Sequence, residues 1–332
     1  MVVFEDCERQ ADSAARASQV DRTSMKSLQP KRLRTLTVNG HPRGQPHLSA
    51  ASGLVCAHGR VYVMADDEHH LAVFRDRRSQ GRLHRVFAGD LPYETEERKK
   101  RKPDVETLFL LPSSTAGGGD ALIALGSGSR KNRQTGIVIP LSARGKVAKE
   151  VRRFDLRPLY KPLRDVLGGE INVEGAIVTT DELLLLNRGV KDKTVNAVAH
   201  YRLRDLRRLM KGARSNIKPT SVRRYDLGDI NGIALGFTDA AALPSGGWLF
   251  TAVAEDTDDS VADGACKGSV IGFVNSRGDL LGMHRLKPKM KAEGIDLQET
   301  QQGLVLCLVT DADTPARPSA LLLAHLNEMH VR

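Results

Sequence analysis

The sequence is poor in aromatic residues and in cysteine. Only 4% of its 332 residues are Phe, Trp or Tyr, and its four cysteines (Cys7, Cys56, Cys266 and Cys307) form no Cys-x-x-Cys pair. A zinc site or a dithiol redox site is therefore not indicated. Cys56 and Cys307 lie inside apolar runs, where cysteine acts as a small buried hydrophobic residue. The few aromatic residues, without a recognisable binding module, do not support nucleic-acid binding.

Long apolar runs are also missing. No stretch of about 18 apolar residues is present, so we expect no membrane-spanning segment and no membrane partner. The first thirty residues are polar, charged and rich in serine, and they lack the apolar core of a secretory signal. We therefore expect residues 1–31 to form a disordered tail and the protein to act in the reducing cytoplasm. A Gly-x-Ser-x-Gly motif, which would indicate a serine hydrolase, is absent as well.

The charge balance is basic. The chain has 50 Lys and Arg against 40 Asp and Glu, a net charge of +10, and much of the excess lies in short patches such as residues 97–102 and 202–214. Such patches can attract nucleic acid or anionic substrates. Solvated loops and outer strands explain them more simply. We favour this second interpretation and expect no nucleic-acid partner.

Five segments of one pattern follow each other along the chain. Each has a small or acidic residue, then Gly, Thr or Asp, then an apolar position, and continues as a strand, a turn and a very apolar second strand. A third strand and a more polar fourth strand come next. The fifth unit has no fourth strand of its own, but residues 32–40, before the first unit, match that pattern. The segments begin at Ala51, Val105, Val173, Phe237 and Ala292.

The spacing of the repeat predicts the fold. Five equivalent polar positions are separated by 54, 68, 64 and 55 residues, and they are Ser52, Glu106, Glu174, Thr238 and Glu293. Four strands per unit at this period are typical of a β-propeller. We predict an all-β, five-bladed β-propeller in a single domain over residues 32–330, with the N-terminal strand completing the last blade so that no sheet edge stays unpaired. A β-sandwich with an unrelated second domain is the alternative.

The five polar positions predict a metal site. In a propeller the first strand of each blade lines the central channel, so these side chains should meet at the axis. Three glutamates in a narrow channel repel each other unless they are neutralised. Calcium, which takes 6–8 oxygen ligands, would neutralise them, and the absence of His and Cys argues against zinc or copper. The alternative is a water-filled channel in which the glutamates are protonated or paired with Arg130 and Arg188.

A ring of Ser, Glu, Glu, Thr and Glu at the inner strands looks like the calcium-activated nucleotidases (apyrases), where serines and glutamates at such positions hold a central calcium. The strand sequences VETL, VEGA, AEGI, AEDTDDS and VTDADTP also resemble uncharacterised bacterial five-bladed propeller proteins and the esterase-like phytase domains. The resemblance covers about residues 32–330 and implies the metal position for the five residues. The phosphate-handling motifs of the nucleotidases are not recognisable, which leaves nucleotide hydrolysis in doubt.

Loops between second and third strands should surround the mouth of the channel. They place carboxylates beside cations, a mixture that suits metal-assisted hydrolysis of an anionic substrate. We predict Glu255 or Asp256 as the general base, and as ligand-binding residues Arg130, Arg188, Asp66 and Asp311. The predicted function is a calcium-dependent hydrolase of a phosphoester, ester or lactone. The alternative is a non-catalytic propeller that binds a ligand or protein and holds a structural calcium; the oligomeric state is left open.

Overall fold

The protein is described by a computed structural model that covers residues 25–76, 78–113, 119–190, 194–257, 264–301, 303–312 and 314–326. Its strands form five sheets, and the innermost strands of neighbouring sheets contact each other in a closed ring. The prediction of a five-bladed β-propeller with four-stranded blades is confirmed. Among the described helices, none combines the length and the hydrophobicity that a membrane-spanning helix needs.

The strands are numbered in chain order. Two short strands come first, β1 (Ser27–Leu28) and β2 (Lys31–Thr35). Blade 1 contains β3 (Val38–Asn39), β4 (Ala51–Ala57), β5 (Arg60–Ala65), β6 (His70–Phe74) and β7 (Gly81–Arg85). Helix α1 (Thr95–Arg101) leads into blade 2, which contains β8 (Val105–Leu111), β9 (Ala121–Gly126), β10 (Thr135–Pro140) and β11 (Arg152–Asp155).

The second half of the ring is larger. Helix α2 (Arg157–Leu167) precedes blade 3, which contains β12 (Val173–Val178), β13 (Glu182–Asn187), β14 (Ala197–Arg202), helix α3 (Leu203–Met210) and β15 (Ser221–Arg224). Blade 4 contains β16 (Asp229–Ile230), β17 (Ile233–Ala242), β18 (Trp248–Asp256), β19 (Ala265–Val274) and β20 (Leu280–Leu286). Blade 5 contains β21 (Lys291–Thr300), β22 (Gly303–Asp311) and β23 (Ala320–Leu326).

The N-terminal segment closes the ring, as predicted. Strand β2 pairs antiparallel with β23 and supplies the fourth strand of blade 5. The closing strand is shorter than the predicted segment 32–40, because Val38 and Asn39 pair in parallel with β7 of blade 1 instead. Part of the predicted tail is also structured, since Ser27 and Leu28 pair in parallel with β20. Residues 1–24 of that tail lie outside the described residues.

The second strand of each blade is buried on both faces between its sheet neighbours and the adjacent blades. In β13 the four leucines 183–186 are all at most 4% exposed, which explains why this strand reads as an unbroken apolar run. In blade 4, Phe237, Trp248 and Phe250 pack on one another with ring centroids 4.9–6.2 Å apart. Tyr225, which follows β15 of blade 3, packs on Phe237 and Trp248. Truncating such a buried leucine to alanine costs about 2–5 kcal/mol. This packing holds the inner strands at fixed positions around the axis.

Candidate functional site

All five key residues are the extra residue of a β-bulge. In each innermost strand the pairing with the second strand skips one position, and the skipped residues are Ser52, Glu106, Glu174, Thr238 and Glu293. A bulge leaves its extra residue out of the ladder and changes the direction of its side chain. The repeat found in the sequence is therefore a repeat of bulges in the inner strands.

The residues after three of these bulges are glycines because the inner strands approach closely. A Cβ atom at Gly53 would lie 2.7 Å from Leu108 Cβ, and one at Gly294 would lie 2.9 Å from the carbonyl oxygen of Ser52. Such distances are shorter than carbon atoms tolerate. The glycines therefore permit the narrow ring of inner strands.

The two hydroxyl positions differ from the three glutamate positions. Ser52 Oγ donates to the carbonyl oxygen of Val105 at 2.8 Å, and Thr238 Oγ1 donates to that of Ala292 at 2.8 Å. Each bond joins the innermost strand of one blade to that of the next. Ser52 also lines the axial cavity, whereas Thr238 does not. We therefore assign the hydroxyls to holding adjacent blades together.

The cavity at the axis has a volume of about 60 Å³, room for a few water molecules or one hydrated ion. Its wall carries three more acidic than basic side chains. The acids are Asp66, Asp104, Glu106, Glu174, Glu255, Glu293 and Asp311, and the bases are Lys102, Arg133, Arg188 and Lys291. If all were ionised, the excess negative charge would have to be neutralised locally, because buried unpaired charges are costly.

Lys102 lies at the centre of the part of the cavity wall that blades 1 and 2 form. Its ammonium group forms ion pairs with Asp66 Oδ2 and, at 2.9 Å, with Asp104 Oδ1. Asp104 Oδ2 also binds Arg133 Nη1 at 2.8 Å and accepts from Ser127 Oγ. Burial alone would lower the pKa of Lys102, but Asp104 and Asp66 outweigh it and hold that pKa well above its usual value. Lys102 is therefore a permanent cation in this position.

Asp66, Asp104 and Glu106 form an acidic cluster. One carboxylate oxygen from each lies within 4.8 Å of the other two. Burial raises the pKa of Asp66 to about 7 although Lys102 opposes the shift, and Asp66 Oδ1 is buried with no hydrogen-bond partner among the described residues. Burial, then Asp66 and Asp104, raise the pKa of Glu106 well above its usual value. Within the described part of the chain no ion pair of 4 Å or less reaches Glu106.

Arg188 and Lys291 neutralise the opposite side. Arg188 donates from Nη1 to Glu174 Oε2 at 3.1 Å and from Nη2 to Glu255 Oε2 at 2.7 Å. Lys291 Nζ lies 3.2 Å from Glu255 Oε1, 3.1 Å from Asp311 Oδ2 and 3.6 Å from Glu293 Oε1. Burial raises the pKa of Glu293 well above its usual value, while Lys291 and Arg188 oppose the shift. Glu293 Oε1 is buried without a hydrogen bond to any described residue.

Most of the residues predicted from the sequence meet in this cavity. They are Ser52, Asp66, Glu106, Glu174, Arg188, Glu255, Glu293 and Asp311. Three predicted residues lie elsewhere. Thr238 binds the neighbouring strand, Asp256 is half-exposed and pairs with Lys267 at 3.3 Å, and Arg130 is not part of the cavity wall. Asp256 follows Glu255 along a strand, so its side chain points to the other face.

The sequence did not reveal Lys102, Asp104, Arg133, Asn172 and Lys291. A regularity two residues before each key position could have found three of them. Asp104, Asn172 and Lys291 precede the three glutamates by two residues, whereas Ala50 and Gly236 precede the two hydroxyl residues. Each key glutamate thus has a polar residue two positions before it, because the glutamates need partners in the cavity and the hydroxyl residues do not.

The predicted five-membered calcium ring does not fit this geometry. Thr238 points to a neighbouring strand, Glu174 is held by Arg188 and by Asn172 Nδ2 at 2.6 Å, and Glu293 lies beside Lys291. Protein cations supply most of the countercharge that we had assigned to a metal. The donors that fit a hard cation are the oxygens of Asp66, Asp104 and Glu106. Of these three residues, only Glu106 belongs to the five key positions.

The fold and the cavity define a five-bladed β-propeller whose axial cavity is lined by acidic and basic side chains. The chain belongs to DUF6929, a family of unknown function whose pattern matches residues 47–326. No curated protein matches the sequence.

Similar solved structures share only the fold at this level of identity. An α-L-arabinofuranosidase from Podospora anserina is 10% identical, with 91% of this chain and 98% of that chain covered and a TM-score of 0.49. Regucalcin, a calcium-binding protein from Agrobacterium tumefaciens, is 10% identical, with 91% and 98% covered and a TM-score of 0.41. An α-L-arabinanase from Penicillium chrysogenum is 10% identical, with 90% and 99% covered and a TM-score of 0.42.

Proposed function

We propose that this protein is a cation-binding β-propeller that holds a hard divalent cation, calcium in the first place, at Asp66, Asp104 and Glu106. The observation that carries the proposal is the approach of three carboxylate oxygens to within 4.8 Å. The unpartnered Asp66 Oδ1 supports it. A divalent cation would neutralise most of the excess negative charge of the cavity, which otherwise has to be neutralised by protons.

The donor set favours calcium or magnesium over softer metals. It consists of oxygen atoms, and no His or Cys lines the described cavity wall. The cavity volume of about 60 Å³ admits an ion with a few waters. Lys102 competes for the same oxygens of Asp66 and Asp104, so we expect weak binding that requires its ammonium group to move.

An anionic ligand would have to replace a carboxylate of the protein, because Arg188 and Lys291 are already paired with Glu174, Glu255 and Asp311. Arg188 and Lys291 face the cavity opposite the proposed metal cluster. The small volume, compared with the 300–1,000 Å³ of pockets that enclose drug-sized ligands, admits only a carboxylate, a phosphate or a similar group. Enclosure of a whole nucleotide, as the resemblance to nucleotidases would require, is not supported by this volume.

Hydrolysis of a phosphoester, ester or lactone is the second candidate function. Glu255 is a poor base for it, because Arg188, Lys291 and the backbone N–H of Gly264 bind its carboxylate. Glu293 suits an acid–base role better. Burial raises the pKa of Glu293 well above its usual value, which is the direction that a general acid requires.

Calcium and magnesium titrations of the EDTA-treated protein test the cation site. We expect calcium to raise the melting temperature, since a ligand at 100 times its Kd stabilises the native state by about 2.7 kcal/mol. Glu106→Gln should abolish the effect. Asp256→Asn, which removes a carboxylate outside the cavity, is the matched control and should keep it. Retained stabilisation in Glu106→Gln, or none in the unmodified protein at millimolar calcium, would contradict the proposal.

A substrate panel separates the hydrolase from a non-catalytic binding propeller. Aryl phosphates, nucleotides, aryl esters, lactones and aryl glycosides are incubated with the protein with and without calcium. We expect any turnover to fall in Glu293→Gln by at least about 100-fold, the usual contribution of a general acid, and to persist in Asp256→Asn. Calcium binding without turnover of any substrate would leave the binding propeller as the function.

A further inference from the structure

One short segment carries most of the net charge of the protein. Residues 202–224 contain nine Lys and Arg and one acidic residue, Asp205, a net charge of +8 against +10 for the whole chain. Eight of these nine cations are exposed, and Arg207 is half-buried. From the sequence we interpreted such patches as ordinary solvated segments, but the structure gathers them.

Helix α3 orients these cations. It buries Leu203, Leu206 and Leu209 and contacts β11, β13 and β14. Burial of one apolar stripe turns the opposite side of an amphipathic helix to solvent. The exposed side of α3 is therefore a row of arginines followed by Lys211.

A neighbouring strand extends the row. Arg152 of β11 is exposed beside α3, whereas the guanidinium of Arg153 lies 5.4 Å from the centre of the Phe87 ring and therefore points away from α3. The N–H of Ile217, in the loop after α3, donates to the carbonyl oxygen of Pro158 at 2.8 Å.

We call Arg152 and the arginines and lysines of residues 202–218 the basic face. Arg223 does not belong to it, because it binds Asp279 and the carbonyl oxygen of Arg277 in blade 4. The basic face has eight cations, of which six are arginines.

Acidic partners on the basic face are few. Arg208 lies 3.5 Å from Asp205. The other seven cations have no carboxylate of the described residues within 4 Å. The positive potential of this surface is thus open to an external anion.

The basic face is remote from the axial cavity. Strand β8 begins beside Glu106 in the cavity and ends at Leu111, and Arg207 Nη2 donates to the carbonyl oxygen of Pro112 at 3.4 Å. Helix α3 therefore lies at the end of the propeller opposite to the cavity mouth. A ligand on this face would not compete with the proposed cation site.

We infer that the basic face binds double-stranded nucleic acid through its phosphate backbone. Arginine, which dominates the face, binds phosphate with two parallel hydrogen bonds. The large exposed hydrophobic residues among the described ones are Tyr93, Val166, Val195 and Leu281, and none belongs to the face. Without aromatic or apolar side chains the face has no platform for stacking unpaired bases and no anchor for a membrane. Binding should be independent of base sequence.

Fluorescence anisotropy with a labelled duplex of about 30 base pairs, at about 50–200 mM salt, tests the inference. If six cations contact phosphates, log K should fall against log salt with a slope of about −5. The variant Arg204→Ala/Arg208→Ala/Lys211→Ala should weaken binding by at least about tenfold and reduce the slope by about 2–3. Alanine is a good helix former, so α3 should remain folded, which circular dichroism verifies.

The matched control is Lys100→Ala/Arg101→Ala/Lys131→Ala, which removes the same charge from exposed positions outside the face. It should bind the duplex nearly as tightly as the unmodified protein. Equal loss in both variants would show general attraction by net charge and overturn the inference. Tighter binding to phosphatidylserine vesicles than to the duplex, or no duplex binding at about 50 mM salt, would overturn it too.

Discussion

The axial cavity and the basic face differ in how their charged side chains are neutralised. In the cavity, Lys102, Arg133, Arg188 and Lys291 each lie within 4 Å of a carboxylate, and their side chains are at most 11% exposed. On the basic face most cations are exposed and have no acidic partner among the described residues. A buried charge requires a partner, whereas water stabilises an exposed one. The ion pairs of the cavity therefore contribute to the stability of the fold, whereas the cations of the basic face are available to a partner.

The largest effect should come from removing one cavity cation. Lys102→Met leaves Asp66 and Asp104 without their shared ammonium group, and breaking a buried ion pair costs about 3–5 kcal/mol. We expect a loss of this size in the free energy of unfolding from urea denaturation. The control Lys100→Met breaks an exposed pair with Glu97 and should cost less than about 0.5 kcal/mol. Similar losses in both variants would remove the distinction between buried and exposed charges.

The fold could be predicted from the sequence because its pattern is local and repeated. Each unit repeats a polar position, an apolar inner strand and a very apolar second strand, and the closing strand is required by the missing fourth strand of the fifth unit. The key glutamates could be found for the same reason. The bulges that direct them could not be seen, because a bulge is defined by its pairing with the second strand and not by residue type.

The partners of the glutamates were missed for another reason. Lys102 and Lys291 are four and two residues before their glutamates, where a basic residue looks like an ordinary loop residue. Their pairing depends on how neighbouring blades converge at the axis. We therefore attributed the neutralisation of the carboxylates to a metal, although side chains of the protein supply most of it.

The second largest effect should be a dependence on pH that arises from the cavity. The pKa of Asp66 is raised from 3.8 to about 7 in the folded protein, so the native state keeps a proton that the unfolded state has lost. The stability from this group is complete below pH 3.8 and is lost as pH rises through about 7. A pKa shift of one unit corresponds to about 1.4 kcal/mol. Because Asp66 is partly hydrated, we expect less than the full shift would give, a decrease in the free energy of unfolding on the order of 2 kcal/mol.

Urea denaturation in EDTA at about pH 4 and about pH 7.5, roughly the two ends of the range in which this stability changes, measures the decrease. Asp66→Asn should make the two values more nearly equal. The Arg204→Ala/Arg208→Ala/Lys211→Ala variant should show the same decrease as the unmodified protein, because arginine does not titrate in this range. An unchanged decrease in Asp66→Asn would assign the pH dependence to other groups.

A smaller effect is expected at the hydroxyl residues of the ring. Thr238→Val keeps the shape of the side chain but removes the hydrogen bond to the carbonyl oxygen of Ala292. We expect a loss of about 1–2 kcal/mol in the free energy of unfolding, with calcium binding unchanged. Weaker calcium binding in Thr238→Val would show that this residue belongs to the metal site. Thr220→Val, at an exposed threonine whose Oγ1 donates to the carbonyl oxygen of His200, is the control and should cost less.

The smallest effect should come from the unpaired cations of the basic face. Their mutual repulsion destabilises the native state slightly, and salt screens it, since the Debye length falls from about 10 Å at 0.1 M to about 3 Å at 1 M. Raising the salt concentration should therefore increase the melting temperature by a degree or two, corresponding to about 0.5 kcal/mol. The Arg204→Ala/Arg208→Ala/Lys211→Ala variant should be slightly more stable at low salt and lose most of this dependence. If the variant is instead destabilised by more than about 1 kcal/mol, these arginines stabilise the fold and the charges of the basic face are not free for a partner.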